Sequence, residues 1–345
     1  MRAERVRVGL VGFGKMGALH ARSVAELPGA ELVGVCDTDP AALERARARY
    51  GVHVTTDLDA LLALRLDAVI VASSTPQHPA HIRAAARAGL AVFTEKPVGL
   101  TLADTDDVLQ EVVDAGIAFQ IGFQRRWDAH YLRVRDVIAA GDIGEPVLFK
   151  AHGRDPDASR PENWGLDRNG GLFLNCAIHD FDAARFLMDR QVEALCATGA
   201  TLVHKGLSQV GDIDTCSTSL FLGGEAMALT EWSRYAAYGY DIGVEVVGTA
   251  GVVQLGGTRD AAVVVHRRSQ RSPTVFDVFG DAYRDSLAGF LAAVRDGVPA
   301  RPGVEDARAA LHIALLARAS FQAGSRLTEV PPLPALRRRA LEAFG

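Results

Sequence analysis

A chain of 345 residues exceeds the usual size of one domain, and its 48% hydrophobic and 23% charged content gives each of two domains enough apolar matter for a core. A net charge of −5, with Arg337-Arg338-Arg339 as the one basic run, excludes a nucleic-acid footprint, and no apolar stretch reaches the ~20 residues of a membrane span. Cys36, Cys176, Cys196 and Cys216 form no C-x-x-C pair and no metal-binding spacing with histidine, so free thiols and no metal are expected. Met1 to Arg5 run straight into a strand-like segment and leave no room for a signal peptide, which makes the expected compartment the cytoplasm.

In chain order, the first 122 residues alternate short apolar runs with helical patterns. Val6–Val11 predicts a strand, Met16–Leu27 a helix, Ala30–Cys36 a strand and Ala41–Tyr50 a helix. Ala68–Ala72 predicts a buried strand, Pro79–Ala88 a helix ended by Gly89, and Ala91–Thr94 another strand. Helix Leu102–Ala115, stopped by Gly116, and strand Ile117–Gly122 complete the series. The strands are nearly continuous Val/Ile/Leu runs, the pattern of a parallel sheet covered on both faces, so residues 1–122 read as a doubly wound α/β (Rossmann) domain.

From residue 123 to 345 the rhythm changes. A helix is expected at Asp128–Ala140, a strand at Pro146–His152, and a single helix from Leu172 to Met188 after the Gly170-Gly171 break. Successive strands separated by Gly223-Gly224 and Gly256-Gly257 fill Ala194–His266, and helices Asp281–Asp296 and Val304–Ala323 close the chain. This predicts an α+β domain around a large, mainly antiparallel open sheet. The closing helices can pack back on the first domain, and a cleft is expected between the two domains.

Chemistry concentrates at a few places. Gly12-Phe13-Gly14-Lys15-Met16-Gly17 is G-x-G-x-x-G between a strand and a helix, where glycines allow a tight turn and a close backbone approach to pyrophosphate. Twenty residues beyond Gly17, Asp37 ends the second strand. An acid there accepts from the adenosine ribose hydroxyls and repels a 2′-phosphate, so NAD is expected rather than NADP. Asp39, before Pro40, reads as a helix N-cap. Ser73, Ser74 and Thr75 lie at the carboxyl edge of the sheet, as cofactor contacts or as a plain turn. Glu95-Lys96-Pro97 follows the next strand at the same edge; taken alone, Lys96 reads as a surface charge. Asn175 and His179 are four apart on one helix face. Taken alone, they read as a surface asparagine and a satisfied core histidine. His20 reads as a packing residue, and His78 and His81, three apart, lack a third ligand for a metal.

The glycine fingerprint and Glu95-Lys96-Pro97 together resemble the Gfo/Idh/MocA oxidoreductase family, in which an E-K-P segment supplies a catalytic lysine. The resemblance covers nearly the whole chain. Gly122 to Asp128 looks like the family's segment at the domain crossover, and Ala282-Tyr283 with Ala293 to Gly297 looks like its usual ending. The stretch Gly170 to Leu187, with Arg154-Asp155-Pro156 and Tyr238-Gly239-Tyr240-Asp241, is similar to the inositol 2-dehydrogenase branch in particular. The resemblance implies NAD-dependent oxidation of a polyol or sugar, with Lys96 holding the oxygen and His179 as general base, a role suited to imidazole near neutral pH. It also implies cofactor contacts from Glu95 and Lys96, and substrate contacts from Lys96, Asn175, His179 and Tyr240. Arg126 and Asp155 then line the cleft or form an interdomain salt bridge. Asn175 stands where the family carries an aspartate, and a neutral amide cannot stabilise a protonated imidazole as a carboxylate does. Family members use the large sheet to form dimers and tetramers, so a homo-oligomer is expected.

Overall fold

The computed structural model describes residues 5–156, 165–256 and 274–337. It divides into two units: the described parts of Met1–Phe123, Tyr283–Arg308 and Pro334–Gly345, and those of Gln124–Ala282 and Ala309–Leu333.

The first unit is built on six parallel strands: β1 (Val6–Val11), β2 (Ala30–Cys36), β3 (His53–Thr55), β4 (Ala68–Val71), β5 (Ala91–Thr94) and β6 (Phe119–Ile121). Their order is β3-β2-β1-β4-β5-β6. The order reverses between β1 and β4, and ligands of open α/β sheets bind at the carboxyl ends beside such a reversal. The connecting helices are α1 (Lys15–Glu26), α2 (Pro40–Tyr50), α3 (Leu58–Leu62), α4 (His78–Arg87) and α5 (Leu102–Ala115). All four residues of β4 are fully buried, which explains its unbroken apolar run. Leu287 and Phe290, from far along the chain, join Val8, Leu10, Ile70 and Phe93 in this core. Sequence patterning passes over β3 and α3, because three and five residues are too few to display a period.

The second unit holds β7 (Pro146–Arg154), β8 (Val192–Ala200), β9 (Thr215–Leu222), β10 (Ala226–Ser233), β11 (Asp241–Gly248), β12 (Val252–Leu255) and β13 (Thr328–Glu329). They form one sheet in the order β12-β11-β7-β10-β9-β8-β13, antiparallel throughout except where β10 runs parallel to β7. Alternation is clean along β10: Ala226, Ala228, Thr230 and Trp232 are buried while Met227, Leu229 and Glu231 are exposed. The last part of the expected strand region, residues 257–266, lies outside the described residues, as do Arg338 and Arg339. Helix α6 is Ala129–Ala139, and α7 is the short Leu166–Asn169. The single helix expected from Leu172 to Met188 is corrected to a π-helical turn, Phe173–Ala177, running into α8 (Ile178–Met188). Helices α9 (Val275–Asp296) and α10 (Val304–Gln322) close the chain, α9 beginning six residues before the apolar pattern suggests.

Candidate active site

The turn after β1 has the steric profile of a phosphate cradle. Gly12 adopts φ +90°, and a Cβ on it would lie 2.6 Å from the Ala72 carbonyl oxygen. A Cβ on Gly17 would come within 1.9 Å of the Gly12 oxygen, so the helix can close on the turn only without one. At Gly14, the N-cap of α1, a Cβ would meet nothing within 4 Å. The missing side chain there leaves open the approach to the helix N-terminus, whose free N–H groups favour an anion. No acidic residue occupies the first turn of α1, and Lys15 is exposed on it while Met16 is half-buried. These residues fit a dinucleotide pyrophosphate. The ring of Phe13 is buried against Tyr50, leaving its main chain at the turn. That main-chain N–H donates to Asp37 Oδ2, and Asp39 N–H donates to Asp37 Oδ1 at 2.8 Å. Two backbone bonds thus hold the Asp37 carboxylate at the mouth of the turn, with lone pairs remaining for ribose hydroxyls.

The turns after β4 and β5 lie at the same carboxyl edge. Ser73 and Thr75 are half-buried and Ser74 is exposed. The Ser73 hydroxyl is held by His81 Nδ1 at 2.9 Å. Lys96 is half-buried, and Glu95 beside it is buried. Burial raises the Glu95 carboxyl pKa, but the hydrogen bond and charge of His20, helped by Lys96 and His78, outweigh it and hold the group below the usual range. The carboxylate is therefore ionised, and His20 Nε2, 2.7 Å from Oε1, must carry the proton it donates. His20 lies edge-on to Phe93 and Tyr283. It packs, as the sequence suggests, and also anchors the residue that precedes Lys96.

In the second unit, Gly170 and Gly171 take φ of +80° and +77° and turn the chain into the helical stretch that carries Asn175 and His179. Asp212 receives its start: Leu172 N–H donates to Asp212 Oδ1 at 2.9 Å, and buried Arg234 donates to Oδ2 at 2.6 Å. A carboxylate at this end satisfies an otherwise orphaned donor and opposes the positive pole of the helix. Asn175 sits within the π turn, half-buried, and buried His179 follows in the first turn of α8. π turns inserted in α-helices are frequent at functional sites. The neighbour of His179, Asp180, is fully buried and accepts from Arg125 and from Trp232 Nε1. Arg126 grips Asp182 with two bonds, 2.9 and 2.7 Å, so this salt bridge lies within the second unit. Tyr240 is buried edge-on to Trp232 and Phe279, and burial pushes its phenol above the usual range, so it remains a neutral hydroxyl. Asp155 is half-buried at the end of β7, and its main chain bonds Ser233 and Ala236.

The expected residues thus form two groups. Gly12 to Gly17, Asp37, Ser73 to Thr75, Glu95 and Lys96 gather at one sheet edge of the first unit. Arg126, Asp155, Asn175, His179 and Tyr240 belong to the second. Sequence reasoning missed the supporting residues Asp180, Arg125, Asp212, Arg234 and Trp232, whose partners lie tens of residues away. The one available signal was the acidic pair Asp180 and Asp182 next to His179 on a largely apolar helix.

Comparison with known proteins matches residues 6–123 to the model described as an oxidoreductase family with an NAD-binding Rossmann fold. Residues 131–254 match the GFO/IDH/MocA C-terminal domain. The chain is 36% identical over 315 residues to an inositol 2-dehydrogenase of Rhizobium meliloti, covering 90% of this chain and 94% of that protein. It is 32% identical over 331 residues to the scyllo-inositol 2-dehydrogenase (NAD(+)) of Bacillus subtilis, covering 93% and 95%. Among solved structures it is similar to scyllo-inositol dehydrogenase from Lactobacillus casei with bound NAD(H) and scyllo-inositol, with a TM-score of 0.86, 27% identity, and coverage of 95% and 99%.

Proposed function

Because this chain belongs to the Gfo/Idh/MocA oxidoreductase family, we propose that it oxidises a secondary hydroxyl of a cyclitol such as an inositol to the ketone, with NAD as acceptor. The observation that carries the reading is the assembly at one carboxyl edge of the open Gly14 turn, the Asp37 carboxylate and Lys96. The turn and Asp37 would hold the cofactor, with Ser73 to Thr75 and Glu95 beside it. Bound NAD supplies a two-electron hydride acceptor. As hydride leaves the carbinol carbon, His179 takes the hydroxyl proton and the Lys96 ammonium holds the oxygen. Asn175 and Tyr240 contact the polyol in this reading, with Arg126 and Asp155 near it.

A panel of myo-inositol, scyllo-inositol, glucose and an aminocyclitol, run with NAD and NADP in parallel and followed by reduced-cofactor absorbance, tests the proposal. An inositol should turn over with NAD. Turnover of the sugar or aminocyclitol alone would replace the substrate, and Asn175 in place of the family's aspartate favours that second reading. Cofactor binding with no turnover would make the chain a weakened, NAD-binding regulator.

The same reading makes the protein a cytoplasmic homo-oligomer, a dimer or a homotetramer. Exposed Phe221, Met227, Leu229 and Val252 on one face of the large sheet support the assembly. Among the described residues no helix is long and apolar enough to cross a membrane.

A further inference from the structure

The two histidines at the head of α4, unpromising as metal ligands, both turn onto the main chain and side chain of the site's turns. His78 is 1% exposed and lies between two carbonyls, its Nδ1 2.8 Å from the Pro97 oxygen and its Nε2 2.9 Å from the Ser73 oxygen. Pro97 directly follows Lys96, and Ser73 opens the turn after β4. One ring therefore spans the two turns, while His81, three residues on and on the same helix face, holds the Ser73 hydroxyl. A neutral imidazole has one N–H and satisfies one of the carbonyls; an imidazolium satisfies both. Burial lowers the pKa of His78 against the pull of the two carbonyls and Glu95, with Lys96 also opposing the charge, so the second bond forms as pH falls.

We infer that His78 is a positioning residue for Lys96: its buried ring is wedged between the main chain at Pro97 and that at Ser73, donating to one of the two carbonyls and packing against the other, and so fixes the origin of the lysine side chain against the neighbouring turn. The inference rests on Lys96 being catalytic. A shift of about 1 Å in a reacting group can cost on the order of 10²-fold in rate, so a tie through main chain one residue away is large enough to matter.

The test uses His78→Leu, His78→Gln, Lys96→Met and the double variant His78→Leu/Lys96→Met. Each is compared for kcat on the best cyclitol of the panel at saturating NAD, for NADH affinity by fluorescence, and for thermal melting. His78→Leu should lower kcat by roughly 10- to 100-fold. His78→Gln, which keeps an amide donor, should recover part of the loss. In the Lys96→Met background His78→Leu should cost nothing further, because residues acting as one unit are not additive. If His78→Leu keeps full kcat, or its loss adds in full to that of Lys96→Met, the inference fails and the catalytic lysine stands. A fully active Lys96→Met would overturn both. Should His78→Leu fail to fold, His78→Gln alone and with Lys96→Met carries the same comparison.

Discussion

Asp37→Ser would remove more than the proposed ribose contact. In the structure the carboxylate already accepts the Phe13 N–H with one oxygen and the Asp39 N–H with the other. A serine hydroxyl is too short to keep both bonds, so the glycine turn loses its anchor along with the ribose acceptor. Hydrogen bonds to a charged group contribute about 1.5–3 kcal/mol each. Losing one such bond to ribose lowers kcat/KM with NAD by roughly 10- to 150-fold, and the loosened turn adds to that loss. With NADP the sign reverses for the electrostatic part. The unmodified protein presents a carboxylate to a 2′-phosphate, a contact costing several kcal/mol when partly desolvated, and serine removes it. The NAD-to-NADP ratio of kcat/KM should therefore fall by about 10²-fold or more on Asp37→Ser. Initial rates of NADH and NADPH formation over a range of each cofactor measure the ratio directly. Equal use of both cofactors by the unmodified protein would refute the reasoning, as would a ratio that Asp37→Ser leaves unchanged.

Asn175→Asp should raise kcat on a cyclitol by on the order of 10²-fold without changing the NAD dissociation constant, with activity still lost in His179→Ala. No gain on any responsive substrate would mean that the amide reads the substrate itself. Asp212→Asn should destabilise the protein by about 3–5 kcal/mol, because it leaves the buried Arg234 guanidinium without its carboxylate partner; urea unfolding checks this. The lowered pKa of Glu95 adds stability above its unfolded value of about 4.3 that is lost as pH falls through the folded value, so Glu95→Gln should flatten the acid limb of the stability curve measured by circular dichroism. Light scattering at micromolar concentration should report an oligomer, and a stable monomer would remove the proposed assembly through the large sheet.

What was legible in the sequence is what short-range sterics dictate. A glycine is favoured at Gly12 by the turn's own φ of +90° and forced at Gly17 by the Gly12 oxygen five residues before it, so the fingerprint shows in six consecutive residues. The buried parallel strands show for a similar reason, since burial on both faces demands apolar residues at every position. The supporting residues of the site were not legible, because nothing local distinguishes them. Asp212 meets the helix that carries His179 from 40 residues away, and Glu95 reaches His20 across 75. A hydrophobic pattern likewise cannot separate a π turn from an α turn, so the register break around Asn175 was invisible. The histidines of α4 show the limit most clearly. Spacing asks only whether His78 and His81 could share a metal, and it answers no. Their partners are main-chain carbonyls and one serine hydroxyl, groups whose positions come from the closure of β4 and β5 into one sheet. Lys96 could be read from its motif, but the residue proposed to aim it could be recognised only once the fold had brought two turns within reach of one ring.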